Sequence, residues 1–144
     1  MKVAAVIRKK GQDVVTVLPH CSIAETADIM RHKRIGSLVV CDAKGELVGV
    51  IAERDIVYGL AAQGAALLGL EVRDVMSPKV VTCDPEESCW NAMATMQKHH
   101  VRHLPVMDGH DLVGLISVGD VAKARVDDMR LEARVLRDQI LAAH

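Results

Sequence analysis

The sequence predicts a mixed α/β (α+β) fold: two β-α-β-β-α repeats packed as one module with a pseudo-two-fold axis. Three observations carry that expectation. Gly49-Val50-Ile51-Ala52-Glu53-Arg54-Asp55 and Gly114-Leu115-Ile116-Ser117-Val118-Gly119-Asp120 match position for position, 65 residues apart. Each opens on Gly, runs through apolar residues suited to a buried strand, and ends on Asp ahead of a helical pattern. Upstream, Pro19 and Pro85, Ser22 and Ser88, Met30 and Met96, and Leu38 and Leu104 match at 66, so one residue drops out in the second hairpin loop. A loop is where a deletion costs least. The periodicities run strand, helix, strand, strand, helix in both copies. A unit of roughly 45 residues buries too little surface to stand alone, so the repeats are expected to pack together and share a core.

Taken in order, residues 2–9 read as a short helix stopped by Gly11, and 14–17 as a β-branched strand ended by Pro19. Ser22-Ile23-Ala24-Glu25 has the Ser-x-x-Glu form of a capping box, and His32, Lys33 and Arg34 suit the end of the helix it starts. Residues 37–41 and 47–51 form a hairpin around a Gly45 loop. Residues 53–63 are helical with Gly64 as terminator, and 72–76 form a short helical element before Ser77-Pro78. In the second copy, 80–83 read as a strand and 84–87 as a helix start with Pro85 near its first position. Cys89, Met93 and Met96 supply an apolar stripe, and 103–107 and 112–116 a second hairpin. From Val118 the pattern stays helical to residue 143, with Val121, Ala122, Val126, Met129, Ala133, Leu136 and Ile140 as its apolar stripe. The expected organisation is an N-terminal helical arm over 1–13, repeat one over 14–63, a connector over 64–79, repeat two over 80–124 and a helical extension over 125–144.

Composition excludes several function classes. Half of the 144 residues are apolar, enough for a core, yet there is no Phe, one Trp and one Tyr, and the net charge is −1. Such a chain lacks the stacking platforms and basic field of a nucleic-acid binder. No run approaches a membrane-spanning length, and the apolar run 3–7 is too short for a secretory signal. Cys21, Cys41, Cys83 and Cys89 show no C-x-x-C spacing, so neither a zinc site nor a dithiol motif is indicated, and buried thiols in a cytoplasmic protein are expected. No Walker loop is present, which argues against phosphoryl transfer.

These residues resemble a tandem pair of cystathionine-β-synthase (CBS) domains. The resemblance spans about residues 14 to 124. It rests on Ile35-Gly36-Ser37-Leu38-Val39-Val40 with the stretch 49–55, and on Val101-Arg102-His103-Leu104-Pro105-Val106 with the stretch 114–120. The ending Ser117-Val118-Gly119-Asp120 followed by a long charged helix looks like stand-alone bacterial CBS pairs. The resemblance implies a non-catalytic regulatory module whose cleft between repeats holds an adenine nucleotide (AMP, ADP or ATP), with NAD or S-adenosylmethionine as alternatives and an empty adaptor cleft as the other reading. It implies that Ser117 contacts phosphate and Asp120 the ribose hydroxyls. Arg102, His103, Leu104, Pro105 and Val106 form the strand that meets the base, and Thr82 lines the ligand. In repeat one the corresponding positions include Val39, Val40, Arg54 and Asp55. There Ala52 replaces the hydroxyl residue and Arg54 is the substitute cation.

The chemistry of the residues agrees with those roles. A carboxylate accepts from two vicinal hydroxyls, and a guanidinium offers a planar fork to phosphate. Asp is also a preferred helix-cap residue, and for Asp55 the cap and ligand readings stand level. Gly49 and Gly114 are read as permitting close packing rather than touching phosphate. His99, His100 and His103 do not share one helix face, so no metal site is expected, and Arg8-Lys9-Lys10 reads as a solvated run. A homodimer is expected, with Trp90 and the last helix at its interface.

Overall fold

The computed structural model describes residues 1–11 and 13–143; Gln12 and His144, in the expected arm and extension, lie outside the described residues. The chain forms two compact units, residues 13–80, and residues 81–144 joined by 1–12.

In the first unit β1 (Thr16–Val17) runs parallel to β2 (Ser37–Cys41), which pairs antiparallel with β3 (Leu47–Ala52). Between β1 and β2 lies α2 (Ile23–Lys33), and α3 (Glu53–Gln63) follows β3. Ser22 caps α2, its Oγ accepting the Glu25 N–H at 3.1 Å. The helix ends on Arg34 in the left-handed region, φ 54°. Beyond α3 the connector is structured: a 3₁₀ turn, α4 (Gly64–Gly69), then the short helix α5 (Val72–Val75). Leu67 and Val72 of these elements are fully buried with Ile23, Leu38, Val40 and Ile51.

The second unit repeats this plan. Helix α6 (Cys89–His99) is capped by Ser88, whose Oγ accepts the Asn91 N–H at 3.0 Å, and it ends on His100, also at φ 54°. Strands β4 (His103–Asp108) and β5 (Asp111–Ser117) pair antiparallel and lead into α7 (Val118–Ala142). Both hairpins are irregular at equivalent steps, Val40/Cys41 and Val106/Met107.

Two expectations need correction. Residues 80–83 do not form a strand; only Cys83 bridges Val106. In the first unit the Val39 N–H donates to the Val15 carbonyl at 3.4 Å. The residue equivalent to Val39 is Pro105, which has no N–H to extend the ladder. Residues 84–87 form a turn rather than the start of α6. The Asp84 carboxylate accepts the Glu86 N–H at 2.8 Å, and helical geometry waits for the hydroxyl cap at Ser88.

What completes each unit was not visible as part of the repeat. Helix α1 (Val3–Lys10) packs in the second unit, where Val3, Val6 and Ile7 join Met96, Leu104 and Ile116 in the core. Helix α5 does the same for the first. The backbone pattern is shared: Val3 N–H donates to Glu87 O and Cys89 N–H to Met1 O, while Ile23 N–H donates to Leu70 O and Val72 N–H to Cys21 O. Val3 and Val72, Val6 and Val75, and Ile7 and Met76 are thus equivalent, 69 residues apart. Each unit gains the buried surface that a bare repeat lacks by taking in such a helix.

Candidate functional site

The site builds up from Gly114. A Cβ there would lie 2.6 Å from Ile7 Cδ1, so only glycine lets the buried Ile7 sit on β5. Three residues on, and hence on the same face of α1, comes Lys10. Its Nζ donates to the Leu115 carbonyl at 2.9 Å and to Asp120 Oδ2 at 2.7 Å. The sequence marks Lys10 only as one of a solvated basic run; the packing of Ile7 turns it into a partner of the site.

Asp120 is the third residue of α7, and with Ser117 it forms a reciprocal capping box. The Ser117 N–H donates to Asp120 Oδ2 at 2.9 Å, and the Asp120 N–H donates to Ser117 Oγ at 3.1 Å. Burial opposes ionisation of this carboxyl. The Lys10 ammonium and the Ser117 backbone and hydroxyl outweigh burial and hold its pKa below the ordinary carboxylate value. The side chain keeps 24% of its surface exposed, and Oδ1 takes part in none of these bonds. Lys9, Lys10, Lys123, Asp120 and Asp127 line a cavity of about 170 Å³ beside it. That is smaller than the several hundred Å³ of a pocket enclosing a whole ligand, and suits one polar group of it.

The other expected residues fall in three groups. His103 is half-buried and pairs across the hairpin with Ser117, which brings it to the same junction. Arg102 lies beside it, exposed, with its carbonyl accepting the Val118 N–H at 2.9 Å. Leu104, Pro105 and Val106 are buried in β4, so what they offer a ligand is mainly backbone. Thr82 is exposed, one residue before the Cys83 bridge, and no hydrogen bond among the described residues joins it to Ser117 or Asp120.

In the first unit Asp55 holds the equivalent place, its Oδ2 accepting the Ala52 N–H at 2.9 Å. With Ala52 at the cap the reciprocal bond is missing. Arg54 is exposed, and Val39 and Val40 are fully buried. The hydroxyl here sits on the opposite strand. Ser37 pairs with Ala52, is 3% exposed, and its Oγ has no hydrogen-bond partner among the described residues. Its place in an apolar run gave no sign of this in the sequence.

Three of the four thiols, those of Cys41, Cys83 and Cys89, behave as buried apolar groups, whereas Cys21, expected to be buried, is half-buried. Burial, then Glu87 and Asp84, pushes Cys83 up to about 12, and burial raises Cys41 and Cys89 as well. No group of His, Cys, Asp and Glu among the described residues could hold a metal ion. No described helix is long and apolar enough to cross a membrane.

The repeated strand-to-helix junction agrees with the family comparison: the model for the CBS domain matches residues 3–62 and again 72–127. The chain belongs to the CBS-domain family. The CBS domain-containing protein YhcV of Bacillus subtilis is 36% identical over 109 residues, 76% of each chain. The CBS-domain containing protein ATU1752 from Agrobacterium tumefaciens matches with a TM-score of 0.84 at 42% identity, over 86% of this chain and 92% of that one. The CBS domain pair of protein MJ0100 matches at 25% identity with a TM-score of 0.76, over 86% and 98%. That protein was crystallised in complex with 5′-methylthioadenosine and S-adenosyl-L-methionine. The paired CBS fold is a regulatory module, and CBS pairs are in general not catalysts. The matched CBS ranges begin at α1 and α5, the helices that each pack in the unit of the other range.

Proposed function

We propose that this CBS pair is a non-catalytic cytoplasmic sensor that binds an adenosine-containing ligand at the β5–α7 junction and acts through a homodimer. The observation that carries the reading is Asp120. Its carboxylate is held ionised by Lys10 and Ser117, stays partly exposed, and keeps Oδ1 out of those bonds. Ribose offers two vicinal hydroxyl donors to such an acceptor. His103 and the exposed Arg102 stand next to it for the base and an anionic group, with Thr82 assigned to the same ligand. AMP, ADP, ATP, NAD and S-adenosylmethionine all carry the ribose that Asp120 would read. The dimer is supported by apolar side chains left outside: Trp90 is 76% exposed, and α7 carries Met129, Leu136 and Ile140 at 55%, 59% and 60%.

The adaptor reading also has an observation behind it, since Ser117 and Asp120 already satisfy each other and Lys10. A thermal-shift series with those five compounds separates the two. The sensor reading predicts a rise in melting temperature with at least one of them. No shift with any at millimolar concentration overturns it in favour of the adaptor.

A further inference from the structure

Helix α7 presents three faces with different fates. Val121 and Ala124 are 4% exposed and pack into the core of their own unit. Asp127, Asp128, Arg130, Leu131 and Arg134 line a hollow with Met1 and with Lys9 of α1. A third set points elsewhere: Val126, Met129, Leu136 and Ile140 are between 44% and 60% exposed, with exposed Ala133 among them. Their spacing is 3, 4, 3 and 4, the a/d seam of a heptad repeat with Val126, Ala133 and Ile140 at a and Met129 and Leu136 at d.

We propose that the α7 helices of two copies of this chain pair in parallel, as a short two-stranded coiled coil along that seam. The inference deepens the dimer part of the proposed function and rests on it. Residue choice selects the geometry. β-Branched Val126 and Ile140 at a, with Leu136 at d, favour two parallel strands. The flanking charges agree. In a parallel pair g faces e of the next heptad, which sets Glu132 against Arg137 of the other copy, twice by symmetry. An antiparallel pair would set Arg130 against Arg137 instead. The like-charged parallel pair, Arg125 with Arg130, is moderated by Asp127, three residues before Arg130 on the same helix.

Disulfide trapping on the full chain tests the geometry. Met129→Cys and Leu136→Cys should each cross-link with itself under mild oxidation. The parent chain should not, its Cys41, Cys83 and Cys89 being buried and its half-buried Cys21 replaced by serine in every variant, nor should Val135→Cys, which lies off the seam. Glu132→Arg should raise the dimer dissociation constant about tenfold, and adding Arg137→Glu should restore it. A dimer by light scattering in which neither seam cysteine links to itself overturns the parallel pairing while leaving the dimer. So does Met129→Cys linking only to an Ile140→Cys chain. A monomer at micromolar concentration overturns both. None of these readouts involves a ligand, so they stand apart from the thermal-shift series.

Discussion

The β3–α3 and β5–α7 junctions begin from the same plan and are fastened differently. Both place an aspartate three residues after the cap position, with Oδ2 on the cap N–H at 2.9 Å. At β5–α7 the serine cap returns a second bond, and Lys10 adds a third and fourth, to Asp120 and to Leu115. The residue equivalent to Lys10 is Lys79, 69 positions on. It does not reach Asp55. Helix α1 continues for eight residues and carries Lys10 onto the carboxylate. Helix α5 stops after four, and Pro78, lacking an N–H and restricting Ser77, cannot continue it. Instead Ser77 is drawn onto the edge of β3, its N–H donating to the Val50 carbonyl at 3.0 Å. One proline and one lost hydroxyl thus separate a fully tied junction from a half-tied one.

The largest expected effect of breaking this comparison comes from its glycines. Gly114→Ala drives a methyl into Ile7, which is branched, 3% exposed and approached at three atoms. Urea denaturation should show a loss of about 1–3 kcal/mol, as for overpacked cores. Gly49→Ala meets Met76 Sδ at 2.5 Å and the Ser77 carbonyl at 3.1 Å, and the flexible thioether can yield. The loss there should be smaller, and equal losses would contradict the account of how α1 is seated.

The capping boxes come next. Ser117→Ala should cost about 1 kcal/mol, the usual worth of a hydroxyl cap. Ala52→Ser should recover part of that amount at the other junction by completing the box with Asp55. If Ala52→Ser leaves the denaturation midpoint unchanged, the two junctions are not equivalent in geometry.

The smallest effect is that of Lys10, and it carries a pH signature. The folded pKa of Asp120 is depressed, so its contribution is fully present above the unfolded value near 4 and is lost as pH falls through the lower folded value. Lys10→Met should lower stability at pH 7 by no more than about 1 kcal/mol, since both partners retain exposure. The gap to the unsubstituted chain should narrow in acid, leaving the share of the Leu115 bond. A gap that does not narrow as the folded carboxyl is protonated would assign the loss to that bond and to packing of the lysine stem.

How much of this was legible follows from what leaves a mark in sequence. The hairpins, the Ser22 cap and the Gly49/Gly114 packing did, because each needs particular residue types at fixed spacing; the Ser88 cap did not, since Asp84-Pro85-Glu86-Glu87 offered a competing helix start. The α1/α5 equivalence did not stand out, because it runs at 69 rather than 66 and preserves only apolar character at Ile7 and Met76. Lys10 left no signal, since its role depends on where Ile7 lands. The shortened strand before Cys83 was readable in principle from Pro105, whose missing N–H only matters once its parallel neighbour is known. The long apolar stripe of α7 was read as one face; in the fold Val121 turns into the core and the rest of the stripe stays outside.

Isothermal titration of the unsubstituted chain, Asp120→Ala and Asp55→Ala, with the adenosine compound that gives the largest thermal shift, tests the central claim most directly. Hydrogen bonds to a charged group contribute roughly 1.5–3 kcal/mol each, so losing those of Asp120 should weaken binding by about ten- to a hundredfold. Asp55→Ala should change it little. Binding abolished by Asp55→Ala and untouched by Asp120→Ala would place the ligand at β3–α3 and contradict the assignment.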